Sequence, residues 1–246
     1  MQDTIKMFIG TSANGEDADA EMVYEHSLRL RVSGPLEITW MRLNHDSDSI
    51  WGDWNTSRWP TPFSGFRWAI PEACGFKGRA IYTDVDMINF RDIEELWNTD
   101  MQGKPIMARR GTRFGGHEFC VMLIDCEKLG ELLMPVSRMK VLPETHFRYI
   151  QQFSGNDILV GDLDPRWNVL DGEDRQIDDM YILHYTCMGS QPWSPAWYRG
   201  PAIEHKRPEL CDLWRKMRDE LNVENAPKQR PNIDYPAYGQ YIIIGK

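Results

Sequence analysis

A chain of 246 residues with 41% hydrophobic residues buries a substantial core and sits near the upper size at which one core stays undivided, so one domain with a decorated C-terminus is expected. A formal net charge of -9 excludes a broad electrostatic footprint for nucleic acid or anionic lipid, since both need a basic excess. No apolar run approaches the roughly 20 residues of a membrane helix, and the opening MQDTIKMFIG enters a strand-like pattern without a charged-then-apolar leader, so a cytoplasmic protein is expected.

Ile5 to Ile9 has the length and residue types of a first buried strand, followed by the small-residue run Gly10 to Gly15. Ala20, Val23, Tyr24, Leu28 and Leu30 then share one broad helical face, which closes at Ser33-Gly34-Pro35. Leu36 to Leu43 reads as a second strand and completes a βαβ crossover. Asn44 to Gly65 dissolves into His, Asp, Ser, Trp and Pro, a surface excursion longer than most connections in compact domains.

Phe66 to Cys74 predicts a helix that Pro71 interrupts or restarts, and Arg79 to Asn89 predicts one strand. A short helix follows around Ile93, Leu96 and Trp97, then strands over Glu118 to Cys126 and Asp179 to Thr186. Buried strands interleaved with helices point to an α/β fold, a mostly parallel sheet covered on both faces. Leu210, Leu213, Trp214, Met217 and Leu221 follow helical spacing, with Pro208 suited to the first turn. The 226–236 stretch is rich in Pro and polar residues, and the chain finishes in Tyr241-Ile242-Ile243-Ile244. Five cysteines, Cys74, Cys120, Cys126, Cys187 and Cys211, show no CxxC spacing and read as reduced thiols. Ten tryptophans offer flat faces for sugar rings, but each is first a core or interface residue.

The chemistry concentrates at Asp84-Val85-Asp86. Side chains two apart on a strand face the same way, so both carboxylates point beyond the C-terminal edge of the sheet, where α/β folds bind ligands. Two carboxylates hold Mg²⁺ or Mn²⁺ with positions left for phosphate oxygens, whereas the bland alternative is a solvated strand end. A second functional reading is a phosphatase in which Asp84 attacks phosphorus, although the Met87-Ile88-Asn89 that follows departs from that pattern. His184 in a later apolar strand is either a hydrogen-bonded core residue or a further Mn²⁺ ligand, and Gly189 would let backbone amides approach phosphate oxygens.

The ordered set of the first strand and its small loop, Arg67-Trp68-Ala69-Ile70-Pro71, Ile81-Tyr82-Thr83-Asp84-Val85-Asp86, Val121-Met122-Leu123-Ile124, His184 and Pro192-Trp193 resembles glycosyltransferase family 8, GT-A fold enzymes that include glycogenin and lipopolysaccharide galactosyltransferases. The resemblance runs from about residue 5 to 198 and implies a Rossmann-like GT-A catalytic domain over 1–200, with 201–246 a C-terminal helix and tail packed on the domain or on a partner subunit. It implies that Asp84, Asp86 and His184 hold Mn²⁺, with Mg²⁺ as the alternative, and through it the diphosphate of a nucleotide sugar. Gly10, Thr11 and Ser12 correspond to the base-binding turn, Thr83 and Val85 contact the nucleoside, and Arg67 reaches the donor sugar or Asp84. Gly189, Gln191 and Trp193 complete the donor set, with Gln191 standing where the family often has a Lys, so that Arg199 or backbone amides would share the charge stabilisation.

The family's Asp-Gln-Asp segment corresponds to Gly155-Asn156-Asp157, which puts Asn156 and Asp157 beside the anomeric carbon as catalytic residues. Glu118-Phe119-Cys120 replaces the family's small-residue segment and alters the sugar pocket. The implied activity is transfer of a hexose from UDP-glucose or UDP-galactose to a hydroxyl acceptor with retention of configuration. A non-catalytic nucleotide-sugar-binding protein is the alternative, and homo-oligomerisation stays open. The Trp-bearing stretch from Asn44 to Gly65 and the C-terminal region are the candidates for acceptor recognition.

Overall fold

The computed structural model describes residues 3–111, 116–221 and 233–234. The first strand, β1 (Ile5–Gly10), leads through a turn into helix α1 (Ala18–Arg29) and back along β2 (Leu36–Met41), which pairs parallel with β1 from Ile5 opposite Leu36 to Gly10 opposite Met41. Helical spacing places Val23, Tyr24 and Leu28 of α1 in the core, and the parallel return is the crossover that the sequence pattern implies.

Residues 44–65 are not the loose surface excursion that their composition suggests. Trp54, Trp59 and Phe63 are buried, and Phe66 receives Trp51, Trp54 and Trp59 at ring-centroid distances of 5.7, 5.6 and 5.2 Å. Edge-to-face aromatic packing of this kind makes the segment a second small core, which removes Trp54 and Trp59 from the residues free to stack on a sugar. A 3₁₀ turn (Phe66–Ala69) runs into helix α2 (Ile70–Ala73), and Pro71 in the first turn of α2 is a fresh start that needs no amide hydrogen. Gly75 closes it at φ 61°.

The strand expected over 79–89 is two strands. β3 (Arg79–Asp84) pairs parallel with β1, the chain bends at Val85 and Asp86, and β4 (Met87–Asn89) starts a second sheet. Local residue pattern cannot show the break, because residues 80–89 are all buried and the cause is a change of pairing partner. After helix α3 (Ile93–Trp97) come β5 (Ile106–Arg110), β6 (His117–Asp125), helices α4 (Cys126–Gly130), α5 (Val136–Met139) and α6 (Thr145–Ser154), and β7 (Val160–Leu163). A 3₁₀ turn (Pro165–Asn168) precedes β8 (Val169–Leu170), and β9 (Ile182–His184) and helix α7 (Pro208–Glu220) follow.

The main sheet has six strands in the order β2-β1-β3-β6-β5-β7, and β6 alone runs against its neighbours. Continuous burial along β3 and over Ile106–Arg109 of β5 is the mark of strands covered on both faces. A three-stranded sheet, β4-β9-β8, continues from the bend after β3. Helix α7 docks on α1 and buries Leu210 and Trp214, and Asn14 exchanges hydrogen bonds of 2.8 and 2.7 Å with the backbone of Ile233. The Pro-rich and final apolar stretches lie otherwise outside the described residues.

Candidate active site

Asp84 ends β3, and Asp86 lies across the bend, so they meet at the junction of two sheets and not as successive same-side positions of one strand. Register brings the other residues in. The β3–β6 ladder sets Thr83 against Val121 and so carries Cys120 toward Asp84, while the β4–β9 ladder sets Met87 against His184. One ligand atom each from Asp84, Cys120 and His184 lies within 4.8 Å of the others. His184 Nε2 also stands 3.3 Å from Asp86 Oδ1.

Each charge in this cluster has a built partner. Arg67, buried, donates from Nε to the Ser64 carbonyl at 2.8 Å, from Nη1 to the Phe119 carbonyl, and from Nη2 to Asp84 Oδ1 at 3.0 Å. Its guanidinium lies 4.4 Å from the centroid of the Tyr82 ring, and the Tyr82 hydroxyl donates to the same Asp84 Oδ1. Burial disfavours the Arg67 cation, yet Tyr82 and Asp84 beside it hold its pKa above the ordinary arginine value. The contacts from Arg67 and Tyr82 both fall on Oδ1 of Asp84, and the Cys120 thiol lies against the same carboxyl.

His184 donates from Nδ1 to Asn168 Oδ1 at 3.0 Å, and that bond fixes the ring so that Nε2 faces Asp86. The Asn168 carbonyl accepts from Arg109, whose guanidinium also grips Glu173. Burial works against the His184 cation, but the Asp86 carboxylate outweighs it and pushes its pKa up to about 8. Burial raises the Asp86 carboxyl above the ordinary value, with His184 opposing. Asp86 Oδ1 is nonetheless buried without a hydrogen-bond partner, because the 3.3 Å approach of Nε2 lacks hydrogen-bond geometry. A buried carboxylate oxygen without a hydrogen bond, beside an imidazole held by its far nitrogen, is a donor set that could accept a cation.

The turn after β1 belongs to the same region. Ser12 donates its hydroxyl and, at 3.2 Å, its amide to Asp17 Oδ2, and the indole N–H groups of Trp193 and Trp197 reach Asp17 Oδ1 and Ser12 Oγ at 3.2 and 2.6 Å. Burial pushes the Asp17 carboxyl up to about 6, hydrogen bonds from Ser12 and Trp193 oppose the rise, and the charge of Asp86 adds to it. Thr11 donates to Glu21 at 2.6 Å. Gly10 sits under the Phe63 ring, where a Cβ would stand 2.7 Å from Cδ2. Thr83 and Val85 are buried on either side of Asp84.

The segment after β9 closes over this turn. Trp193 stacks on Trp214 at 5.2 Å, and Gly189 is required by packing, since a Cβ there would meet the Pro201 carbonyl at 2.5 Å. Gln191 is buried with Oε1 unpartnered, and Arg199 turns back to the Ala196 carbonyl. A cavity of about 250 Å³ lined by Asn14, Glu16, Ala196, Trp197, Arg199, Ile233 and Asp234 adjoins this segment.

Asn156 and Asp157 are not brought to the cluster. The row Ala80–Ile124–Ile106–Val160 runs across the sheet four residues before Asp84, and Asn156 and Asp157 precede Val160 on the edge strand. Three strand spacings of about 4.8 Å and four residues of about 3.3 Å separate the two positions across and along the sheet. Asn156 Oδ1 accepts from the Ile158 amide at 3.1 Å, and Asp157 pairs with Arg110 at 3.0 Å. Helix α6, absent from the elements expected of the sequence, occupies the residues just before them. At its other end, His146 accepts from the Trp68 indole at 3.2 Å and feels the charge of Arg67.

No family model matches the chain. Protein CDI of Arabidopsis thaliana is 24% identical, with 86% of each chain aligned. Solved structures superpose over nearly all of the described fold. The WbbM bifunctional glycosyltransferase gives a TM-score of 0.62 at 11% identity over 92% of this chain, which spans half the length of WbbM. The galactosyltransferase LgtC, solved with donor and acceptor sugar analogs, gives 0.59 at 12% identity over 91% of this chain and 98% of its own. GlyE of Streptococcus pneumoniae gives 0.57 at 15% identity over 93% of this chain and 66% of its own. The mostly parallel six-stranded sheet flanked by helices is therefore the GT-A fold of these glycosyltransferases.

Proposed function

We propose that the chain is a metal-dependent glycosyltransferase of the family 8 kind, moving a hexose from UDP-glucose or UDP-galactose to a hydroxyl acceptor with retention of configuration. The observation that carries this reading is the buried set Asp84, Asp86 and His184 at the C-terminal edge of β3, in a GT-A fold, with one carboxylate oxygen left unpartnered. Those residues would hold a divalent cation, Mn²⁺ or Mg²⁺ by the family resemblance alone, whose chemistry when bound is to offset the negative charge of the departing diphosphate.

The rest is work for the chain's own side chains. Arg67 fixes the Asp84 carboxylate and supplies a permanent positive charge beside it. Asn168 sets the His184 tautomer. The turn Gly10-Thr11-Ser12, braced by Asp17, Trp193 and Trp197, forms the wall for the nucleoside, and Gln191 offers an unpartnered amide oxygen close to that turn's covering segment. Asn156 and Asp157 stand on the far edge and take no part in this proposal.

Calorimetric titration of UDP with Mn²⁺, with Mg²⁺ and with chelator tests it on the native protein and on Asp86→Ala. Binding that needs the metal and vanishes in the variant is expected. Absence of binding under every condition overturns the UDP reading. Slow hydrolysis of a UDP-hexose without acceptor separates an enzyme from a protein that only holds the donor.

A further inference from the structure

We infer that Cys120 is a metal ligand, so that the centre is Asp84, Cys120 and His184 bordered by Asp86, and that it selects a borderline-soft dication, Zn²⁺ or Co²⁺, over Mg²⁺ and Mn²⁺. The inference deepens the proposed donor site and rests on that reading.

Three observations carry it. The Cys120 thiol shares the 4.8 Å cluster with Asp84 and His184, and it lies against the Asp84 carboxyl and the Arg67 guanidinium. Its position is set by the sheet, since the same ladder that opposes Thr83 to Val121 delivers Cys120 across from Asp84. The β5–β6 register then shifts between Ala108 and Arg109, an irregularity that leaves residues 119–121 of β6 without a facing residue on β5. Finally, Asp86 is 4% exposed and its Oδ1 has no hydrogen-bond partner, while His184 presents Nε2 to it.

Donor type decides the preferred ion. A site of two carboxylates and an imidazole suits Mn²⁺ well, and Mg²⁺ with waters. Adding a thiolate changes that order, because sulfur ligands hold Zn²⁺ and Co²⁺ far better than the hard cations. Binding releases the thiol proton to solvent, so the bound centre carries one more negative ligand than carboxylates and imidazole alone supply. Arg67, close to both Asp84 and Cys120, offsets that added charge.

The experiment is a Co²⁺ titration of the reduced native protein followed by electronic absorption. One equivalent should produce an intense near-ultraviolet thiolate-to-cobalt band, lost in Cys120→Ser and retained in Cys74→Ser and Cys187→Ser. Zn²⁺ should displace the Co²⁺, and Zn²⁺ affinity should fall about tenfold or more in Cys120→Ser, equivalent to about 1.4 kcal/mol, while Mn²⁺ affinity changes little. A native spectrum without the band is decisive without any variant, whereas its presence is assigned to Cys120 by the variants. Co²⁺ bound with no thiolate band overturns the inference and leaves the donor-site reading standing. Failure of Co²⁺, Zn²⁺ and Mn²⁺ to bind, with or without UDP, overturns the donor-site reading and this inference with it.

Discussion

Replacing Arg67 by lysine keeps the charge and removes the fork, and the structure says what that costs. The guanidinium makes three directed contacts, to the Ser64 and Phe119 carbonyls and to Asp84, and it lies over the Tyr82 ring. An ammonium on a shorter, unbranched reach keeps the attraction to Asp84 but abandons at least one of the buried carbonyls. Each acceptor left unmade costs about 1–3 kcal/mol, and the lost stacking about 1 kcal/mol. Arg67→Lys should therefore destabilise by about 2–4 kcal/mol, a shift in Tm of about 5–15 °C for a domain of this size.

Arg67→Met should cost about 3–5 kcal/mol, because it strips the buried Asp84 carboxylate of its cation and leaves it only the neutral Tyr82 hydroxyl and Cys120 thiol. Combining it with Asp84→Asn should cost less than the sum of the single changes by about 1 kcal/mol or more, the sign of a coupled pair. Urea unfolding of the four proteins measures all of this. Midpoints for Arg67→Lys and Arg67→Met within about 0.5 kcal/mol of the native protein would refute the account of a buried, fully engaged guanidinium.

Two further outcomes follow from neighbouring residues. Burial and the Arg67 charge hold the His146 pKa well below its ordinary value, and its Nδ1 accepts from Trp68. Below about pH 6.5 the unfolded chain binds a proton that the native His146 refuses, so this group makes stability fall as pH drops, by up to about 1.4 kcal/mol per pH unit. The difference between native protein and His146→Phe in urea midpoints from pH 7.5 to 5 isolates the effect, and parallel curves would sink it. Gly10→Ala should destabilise by about 1–3 kcal/mol, since its Cβ would stand 2.7 Å from Phe63 Cδ2 and 3.2 Å from the Tyr82 hydroxyl. An unchanged Tm would mean that the Phe63 ring yields freely.

What the sequence displays is local order. Strand β1, helix α1, strand β2, strand β6 and helix α7 carry runs or periodicities of aliphatic residues, and each lies within a few residues of its expected limits. Helix α6 escapes because its buried face is His146, Tyr149 and Phe153, aromatic and polar where a helical stripe is normally aliphatic. Strand β5 escapes because Arg109 and Arg110 follow Ile106-Met107-Ala108, and the burial of Arg109 depends on Glu173 and Asn168 from far along the chain. The carboxylates and the histidine were readable as candidates by residue type and position. Tyr82 was readable too, since i and i+2 share a strand face with Asp84. Cys120 and Asn168 were not, because their relation to Asp84 and His184 is a matter of pairing between strands.

That dependence on pairing is also the reason the cluster is so sharply placed. Two ladders meet at Asp84–Asp86, one setting residue 83 against 121 in the main sheet, the other setting 87 against 184 in the small sheet. Side chains alternate faces along a strand, so a slip of one residue in either ladder would turn Cys120 or His184 to the opposite side. Both ladders are pinned by burial on their two faces, Ile81, Leu123 and Ile124 in one and Ile88, Ile182 and Leu183 in the other. The polar cluster then inherits its precision from apolar packing that it does not itself supply. Its own charges, with Arg67 held to Asp84 and His184 facing Asp86, are balanced locally enough to be buried, with the Cys120 thiol against Asp84 and Arg67. Under the proposed reading a bound cation would complete the surroundings of Asp86 Oδ1, which has His184 Nε2 at 3.3 Å as its ion-pair partner and no hydrogen-bond donor in bonding geometry.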